Sequence, residues 1–387
     1  MAPTRSDGLL VAAIDLHLLE LPLVEPFAAA HGTTRSRTVT VLRLTTDRGI
    51  GWGECSALPA ATYSGESAIG SFELLAGAVG PKLLGREVDP ELAELRTPLR
   101  RHPMALAALE MALLDVELRA AGRSLASWLG VDRADVPAGV SLGLDDPERV
   151  LARARGLGAE GYGRLKVKIQ PGHDVEVVRA LRDDPVLAAA RVEIQVDANG
   201  SYPPEALGTL VELAELGVDA IEQPFAPAEI EAAECLVSAL ADRAPDRAGG
   251  RPVPVVGDEA VPTVAAARRL ADRGALSGVS IKPPRVGGLA VARELHDLCR
   301  DRGLAATAGG MLETGLGRHA LAAVAALPGF DLTGDLSPAG RWLAADPWPD
   351  LALRAGRILV PTGVGIAPDP DPDRLDGLTV RREHLRR

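Results

Sequence analysis

The sequence predicts an α/β protein in which a parallel (β/α) barrel follows a smaller α+β unit. From about residue 136, short apolar strands alternate with helices rich in Ala, Leu and Arg. The first 130 residues contain long strands of alternating polarity and one long apolar helix. No Gly-rich phosphate-binding loop follows the first strand, which disfavours an open doubly wound sheet. These two patterns predict two structural units.

The N-terminal unit is predicted from two strand regions and one helix. Residues 9–22 and 38–56 are expected to form strands, because the second run alternates at period two and contains the turn signal Asp47-Arg-Gly49. Residues 103–121 are expected to form a helix with a broad apolar face. We assign residues 1–130 to this α+β unit.

The second unit is predicted from its alternation of strands and helices. Eight strands are expected at 138–143, 164–169, 192–197, 219–222, 253–257, 278–282, 304–308 and 331–334. Helices are expected at 147–158, 174–182, 204–216, 228–241, 262–273 and 288–302. Eight strands with intervening helices over about 200 residues are typical of a (β/α) barrel. We assign residues 131–341 to this barrel.

The C-terminal segment, residues 342–387, is rich in Pro and Asp and contains a strand candidate at 357–360. We expect this segment to fold back and complete the N-terminal unit. A polar stretch at 244–252 lengthens one strand–helix unit of the barrel. We interpret that stretch as a loop on the helix-to-strand side, away from the mouth of the barrel.

Composition and charge narrow the function classes. The formal charge is −11 at pH 7, which argues against nucleic acid as a partner because phosphate binding needs a basic surface. The sequence contains neither a run of about 18 apolar residues, as a membrane span requires, nor a signal peptide pattern. Its three separated cysteines form no metal-binding spacing and no disulfide framework, so we expect a cytoplasmic protein.

Lysine is rare in this chain, since only four of its 42 basic residues are lysine. Lys166 and Lys168 lie in one predicted strand and Lys282 lies in another, whereas Lys82 is interpreted as a surface residue. Lysine can lose its proton when desolvated, but arginine cannot. We therefore predict proton-transfer chemistry, with Lys168 and Lys282 facing each other across a substrate. Burial and neighbouring positive charge are expected to lower the lysine pKa enough for a general base.

Acidic residues end three consecutive predicted strands. They are Asp197, Glu222 and Asp258, each about one strand–helix unit apart. In a barrel the carboxyl ends of the strands converge on one mouth, where active sites lie. Three carboxylates with positions left for water and substrate suit Mg²⁺, with Mn²⁺ as an alternative. No His or Cys joins the set, which argues against Zn²⁺.

Each of these residues also has a structural interpretation. A single acidic residue at a strand end is often a helix N-cap, and a lysine on a strand is often at an edge. Six incidental charges at the ends of buried strands would be costly, so we favour a shared site. Glu259 is either a further ligand or, as we prefer, a neighbour of the site that pairs with Lys282. Asn199 either orients a ligand or caps the next helix.

Several runs carry a family resemblance: Pro26-Phe27, Gly51-Trp-Gly-Glu-Cys55, Tyr63-Ser64, His102-Pro-Met104, Ala108-Leu-Glu-Met-Ala-Leu-Leu-Asp115, Lys166-Val-Lys168, Gly309-Gly-Met-Leu-Glu-Thr-Gly-Leu-Gly-Arg318 and Gly334-Asp-Leu-Ser-Pro338. Together with the acidic set and Lys282, they resemble the enolase superfamily in its muconate-lactonising subgroup. Within that subgroup the closest resemblance is to the o-succinylbenzoate synthase / N-acylamino acid racemase family. The likeness covers nearly the whole chain.

The resemblance implies a modified (β/α)7β TIM-like barrel with an α+β capping domain and bound Mg²⁺. It implies that Lys168 removes the proton α to a substrate carboxylate, with Lys166 tuning Lys168 through its charge. In o-succinylbenzoate synthesis, loss of water would follow and yield a menaquinone precursor, while Lys282 would stabilise the negative charge. In N-acylamino acid racemisation Lys282 would instead reprotonate the opposite face.

The resemblance also implies how the substrate is held. The cap loop at 27–37, together with Tyr63, is expected to close over the substrate tail. Ser141 and the run Gly309, Gly310 and Met311 are expected to form pocket walls. The implied partner is a small-molecule carboxylate, and the implied assembly is a homo-oligomer.

The sequence leaves several functions open. We place o-succinylbenzoate synthase first, with the racemase, or both activities in one protein, as the alternative. A dipeptide epimerase or a muconate cycloisomerase is disfavoured, the former because the run Asp331-Leu-Thr-Gly-Asp335 lacks an Asp-x-Asp pair to hold an amino group. A non-catalytic barrel is disfavoured because the set of lysines and acidic residues is intact.

Overall fold

The computed structural model describes residues 8–30, 32–89, 92–243 and 250–387. Most of the predicted polar loop at 244–252 lies outside the described residues. Within the described parts, the chain forms an antiparallel sheet, a seven-stranded parallel sheet and a small three-stranded sheet. The predicted fold class, a TIM-like barrel with an α+β cap, is confirmed by this architecture.

The antiparallel sheet is built from β1 (Leu9–Ala29), β2 (Gly32–Thr46) and β3 (Gly49–Cys55). Strand β1 continues seven residues beyond the predicted end at Pro22. Its register with β2 shifts between Pro22 and Phe27, around Pro26. Proline lacks the N–H that a regular ladder needs, so the sequence pattern breaks where the strand itself continues.

Several helices follow these three strands in the chain. They are α1 (Ala68–Leu74), which runs through a π-helical turn (Leu75–Val79) into α2 (Gly80–Leu83), and, after β4 (Glu87–Val88), α3 (Ala93–Arg96), α4 (Pro103–Ala120) and α5 (Leu125–Leu129). Helix α4 lies directly on β3, because a Cβ on Gly53 would be 1.9 Å from the carbonyl oxygen of Ala108. The glycines of the Gly-Trp-Gly run are therefore explained by close packing of helix on strand.

The barrel strands follow in chain order. After β5 (Asp135–Pro137) they are β6 (Gly139–Leu142), β7 (Arg164–Lys168), β8 (Glu193–Asp197), β9 (Ala220–Glu222), β10 (Val255–Gly257), β11 (Gly278–Ile281) and β12 (Ala305–Ala308). Strands β6 to β12 form one parallel sheet in sequential order. The predicted strands are thus confirmed up to the seventh.

The barrel helices lie between these strands. They are α6 (Pro147–Ala159), α7 (Val175–Arg182), α8 (Pro185–Ala190), α9 (Leu207–Glu215), α10 (Ile230–Asp242), α11 (Val264–Asp272), α12 (Pro283–Val286), α13 (Leu289–Arg302) and α14 (Gly315–Ala325), with 3-10 turns at Pro204–Ala206 and Ala339–Arg341. Within the described residues, three apolar clusters join the barrel strands to these helices.

The eighth predicted strand, at 331–334, was wrong, because this segment is irregular. It still closes the barrel, since Asp335 N donates to Ala308 O at 2.8 Å and Gly139 N donates to Leu336 O at 3.1 Å. The N–H of Leu332 donates to Ala306 O. Between the two bonds to β12 the segment advances three positions, from 332 to 335, while β12 advances two, from 306 to 308. That mismatch prevents a regular ladder.

The C-terminal segment contains β13 (Leu353–Arg354), β14 (Arg357–Leu359), α15 (Pro372–Leu378) and β15 (Thr379–Arg386). Strand β14 pairs with β5, and β15 pairs antiparallel with β1 at the edge of the cap sheet. The expected return of the chain to the N-terminal unit is therefore present in the structure. The boundaries at residues 130 and 341 stay predictions.

Within the described residues, no helix is both long enough and apolar enough to span a membrane.

The pairing of β1 with the C-terminal segment generates a prediction about acid stability. His17 on β1 is 6% exposed, and its Nδ1 lies 3.2 Å from Thr379 Oγ1. Burial, helped by the charge of Arg382, lowers the pKa of His17 to about 4 from an ordinary 6.5. The unfolded chain therefore takes up a proton first as the pH falls. Stability contributed by the neutral ring is present above pH 6.5 and is lost towards pH 4.

We expect His17→Gln to remove this part of the acid sensitivity. Between pH 7 and pH 5, the wild type should lose about 2 kcal/mol more unfolding free energy than the variant. Urea unfolding at both pH values measures the difference. Equal losses in the two proteins would show that His17 titrates normally in the folded state.

Candidate active site

The predicted site residues meet at the carboxyl ends of the parallel strands. Strands β7, β8 and β9 are adjacent in register, which aligns Lys168, Asp197 and Glu222 across the sheet. Asp258 follows β10 and Lys282 follows β11. All five side chains are buried, so their charges must be compensated inside the protein.

Lys168 is held in the site by a carboxylate and by the side-chain amide of Asn199. Lys168 Nζ lies 2.6 Å from Asp197 Oδ2 and donates to Asn199 Oδ1 at 2.7 Å. Asn199 Nδ2 donates to Glu259 Oε1 at 2.9 Å. Of the two interpretations of Asn199, the geometry favours orientation: its amide links the lysine to Glu259. Its backbone adopts φ +45°, a left-handed conformation that Asn tolerates better than most residues.

Lys166 lies among carboxylates. Its Nζ is 3.1 Å from Glu222 Oε2 and 3.3 Å from Asp197 Oδ2, and it also forms a short ion pair with Asp335. Burial alone would lower the pKa of Lys166, but Asp335, Glu222 and Asp197 outweigh it and raise that pKa. Lys166 is therefore a positive charge held among three carboxylates.

Lys282 follows β11, which is separated from β7 by three strands of the sheet, and it contacts Tyr63 of the cap. Its Nζ is 2.7 Å from Asp258 Oδ2, 3.3 Å from Tyr63 Oη and 4.8 Å from the centre of the Tyr63 ring. The sequence analysis expects Lys282 to pair with Glu259, but in the structure it pairs with Asp258. Burial would lower the pKa of Lys282, but the contact with Asp258 outweighs it and holds that pKa well above its ordinary value. The expected lowering is thus not seen for Lys166 or Lys282, because both contact carboxylates.

Two oxygens of the site show where a cation fits. Glu222 Oε1 and Glu259 Oε2 are buried without a hydrogen-bond partner. Burial raises the pKa of Glu222, and burial together with Asp258 raises the pKa of Glu259 to about 8. An unpaired buried carboxylate oxygen is costly, and a hard divalent cation would satisfy it.

The carboxylates are not already closed around a metal position. In the described parts of the chain, no cluster of three His, Cys, Asp or Glu side chains has metal-binding geometry. The ammonium groups of Lys166, Lys168 and Lys282 instead hold the oxygens of Asp197 and Asp258. The donor set contains only oxygen, which fits Mg²⁺ better than Zn²⁺.

The site opens into a cleft with about 720 Å³ of free space, counting its open mouth. Most of the predicted pocket residues line this cleft, namely Tyr63, Ser141, Lys166, Lys168, Asn199, Lys282, Gly310 and Met311. Gly309 lies behind the wall, where a Cβ would be 2.6 Å from Lys282 Cγ. The absence of a side chain at Gly309 therefore leaves space for the Lys282 side chain.

The cap loop at 27–37 contributes to the cleft only in part. Phe27 and Thr34 line it, and the Phe27 ring packs edge-on against Trp342 with the ring centres 5.4 Å apart. Arg37 instead points into the protein interior. His31 lies outside the described residues.

The sequence analysis did not select three residues that contact the site, namely Arg285, Asp335 and Arg164. Arg285 on α12 is buried and forms a short ion pair with Asp258, and its Nη1 lies 3.4 Å from Tyr63 Oη. Asp335 pairs with Arg164 and Lys166 and accepts a hydrogen bond from Ser141 Oγ at 2.9 Å.

The positions of Asp335 and Arg285 in the sequence could have identified them. Asp335 ends the eighth barrel segment, so the rule that selected the other three acidic residues also selects it. Arg285 follows Lys282 by three residues, in the Pro-Pro-Arg run after a buried strand. Arg164 opens the same strand as the two lysines, but nothing in its local sequence separates it from a surface arginine.

Comparisons with known proteins show the family of this chain. Residues 13–130 match the family profile described as the mandelate racemase / muconate lactonizing enzyme N-terminal domain. Residues 149–374 match the profile described as enolase C-terminal domain-like. Together the two profiles span most of the chain.

Individual relatives cover almost the full length. An N-succinylamino acid racemase from Amycolatopsis sp. is 39% identical over 96% of this chain and 98% of the relative. An o-succinylbenzoate synthase from Bacillus subtilis (strain 168) is 33% identical over 94% of this chain and 95% of the relative. The crystal structure of an enolase superfamily member from Listeria innocua Clip11262 is similar at a TM-score of 0.89, with 29% identity over 97% of this chain and 99% of that one.

The strand-end carboxylates, the lysines that contact them and the two matching profiles lead to one assignment: this chain is a member of the enolase superfamily, related to both N-succinylamino acid racemases and o-succinylbenzoate synthases.

Proposed function

We propose that this protein moves the proton α to the carboxylate of a small succinyl-bearing substrate, with N-succinylamino acid racemisation as its main reaction. The observation that carries the proposal is that Lys168 on β7 and Lys282 after β11, with three strands between them in the sheet, line the same cleft. Racemisation needs a proton donor and acceptor on each face of the α-carbon. Synthesis of o-succinylbenzoate needs one base and is the second candidate, supported by the 33% identical synthase.

The identities of the relatives set the order of these two candidates. The racemase from Amycolatopsis is 39% identical, against 33% for the Bacillus synthase. The sequence analysis placed the synthase first, although the site residues do not distinguish the two reactions. Racemisation would use both Lys168 and Lys282 for proton transfer, whereas the synthase reaction would use only one lysine as a base.

The chain's own residues divide the chemistry between them. Asp197, Glu222 and Asp258 would hold Mg²⁺, which when bound supplies positive charge beside the substrate carboxylate. Lys168, oriented by Asn199, takes the α-proton on one face, and Lys282 returns a proton on the other. Lys166 adds a fixed positive charge that favours the negative charge developing on the substrate.

The cleft favours a substrate whose nitrogen is acylated. Among the described residues that line the cleft, Asp335 is the one acidic residue. Its carboxylate is already bound by Arg164, Lys166 and Ser141. Ser337 stands two residues later and accepts a hydrogen bond from Trp342 Nε1 at 2.9 Å. A free ammonium group would therefore find no available carboxylate at this wall, which supports N-succinyl amino acids over dipeptides.

Replacing Lys168 tests the proton-transfer role. We expect Lys168→Ala to lower racemisation at least about 10³-fold, because one face of the α-carbon loses its base. Mg²⁺ binding should stay measurable by calorimetry, since the three carboxylates remain. Lys82→Ala is the matched control, because Lys82 is exposed in the cap and should retain full activity. Full activity in Lys168→Ala would exclude the mechanism.

Deuterium exchange separates the two candidate reactions. In D₂O with Mg²⁺, the wild type should exchange the α-proton of both enantiomers of an N-succinyl amino acid. Lys168→Ala should retain exchange of only one enantiomer, and Lys282→Ala should retain exchange of only the opposite enantiomer. EDTA should abolish exchange, and added Mg²⁺ should restore it.

A parallel assay uses the cyclohexadiene precursor of o-succinylbenzoate. Dehydration of this compound without exchange of either N-succinyl enantiomer would replace the racemase with the synthase as the function. If neither assay shows turnover in the metal-loaded wild type, the proposed function is wrong.

A further inference from the structure

Arg37 on β2 is a completely buried arginine at the contact between cap and barrel, with 0% of its surface exposed. Its Nε and Nη2 donate to Met311 O at 3.3 and 3.2 Å. Its Nη1 donates to Ala57 O at 2.7 Å and to Thr38 O at 3.1 Å, and Nη2 also donates to Ser56 O.

Each nitrogen of the guanidinium group is therefore bound to a backbone carbonyl. Arginine has five N–H donors in a rigid planar fork, and this set accounts for all five. The carbonyls come from three separate segments: β2 itself, the segment after β3 and the loop after β12. A buried charge used in this way fixes the relative positions of three backbones rather than forming an ion pair.

Two buried carboxylates, Glu54 and Glu313, interact electrostatically with Arg37 and partly offset the effect of its burial. Glu313 accepts a hydrogen bond from Met311 N at 2.7 Å and lies 3.3 Å from Arg318 Nε. Buried charged side chains thus hold both the N–H and the C=O of Met311. Glu54 accepts from Thr314 Oγ1 at 2.6 Å and so fixes the far end of the same loop.

This loop packs against Lys282. A Cβ on Gly309 would lie 2.6 Å from Cγ and 2.8 Å from Cε of Lys282, so the backbone there touches the lysine chain without free space. Gly310 and Met311 line the cleft beside it. Lys168 makes its contacts elsewhere, with Asp197 and Asn199. A displacement of residues 309–311 would therefore affect Lys282 before it affects Lys168.

We propose that Arg37 is a positioning residue that holds the loop 309–314 against Lys282, and so sets proton transfer on one face of the substrate. The proposal rests on the two-lysine function given above. Arg37 touches neither lysine and acts through the backbone of Met311. The cap thereby controls one of the two proton carriers of the barrel.

The test compares Arg37→Lys and Arg37→Met with Arg43→Lys as control. Arg43 lies on the same strand, and its side chain pairs with Asp15 on the cap sheet, away from the loop. Lysine at 37 keeps the charge but cannot reach all of the carbonyls, so we expect an effect intermediate between wild type and Arg37→Met. Should Arg37→Met fail to fold, Arg37→Lys carries the test.

The first measurement is α-proton exchange of each enantiomer in D₂O. The enantiomer served by Lys282, identified with Lys168→Ala, should exchange roughly tenfold more slowly in Arg37→Lys, whereas the other should change less than about threefold. A merely structural role would slow both enantiomers equally, and that result overturns the proposal. Arg43→Lys should leave both rates unchanged.

The second measurement is amide hydrogen exchange of peptides covering residues 305–316. We expect faster exchange there in both Arg37 variants, with no change in peptides covering β7 and β8. Unchanged exchange of the loop overturns the proposal, whatever the substrate results are. If the wild type exchanges neither enantiomer, the proposed function fails, and the amide measurement alone then decides whether Arg37 fixes the loop.

Discussion

Compensation of buried charge at the strand ends is the constraint on which this structure depends. Three acidic residues and three lysines lie at one barrel mouth, and each charge contacts an opposite one. Removing one partner from such a set would leave an uncompensated charge in a buried site, which is more costly than the loss of a surface ion pair. The arrangement is therefore stable only as a whole. The unpaired oxygens of Glu222 and Glu259 mark where a further positive charge belongs.

The cap meets the barrel by the same principle, through buried carboxylates placed at helix N-termini. Glu110 of α4 accepts from the N–H groups of Leu289 and Ala290 at the start of α13. Glu54 of β3 accepts from the N–H groups of Thr314 and Gly317 at the start of α14. The first N–H groups of a helix lack partners within it, and its dipole favours negative charge there. Side chains of the cap thus complete backbone hydrogen bonding of the barrel, and Arg37 does the same for the carbonyl of Met311.

Much of the fold was predictable, because buried parallel strands are apolar runs separated by amphipathic helices. The strand-end rule likewise selected Asp197, Glu222 and Asp258 from spacing alone. Arg37 was not predictable as an interior residue. It ends a Gly/Thr/Arg run that looks like a surface loop, and its partners are carbonyls of Ser56, Ala57 and Met311, which no side-chain pattern reveals. Backbone partners distant in sequence leave no local signal.

The irregular eighth segment shows why closure of the barrel and its chemistry cannot be separated. Its ladder to β12 is broken by the extra residue before Asp335, so regular backbone pairing does not hold it in place. The Asp335 carboxylate joins it to Arg164 and Lys166 on β7, across the position of β6. One side chain thus adds to the few backbone hydrogen bonds of this segment and also anchors a lysine of the site. A regular strand would have closed the barrel as well, but it would not by itself have supplied the carboxylate that keeps Lys166 charged.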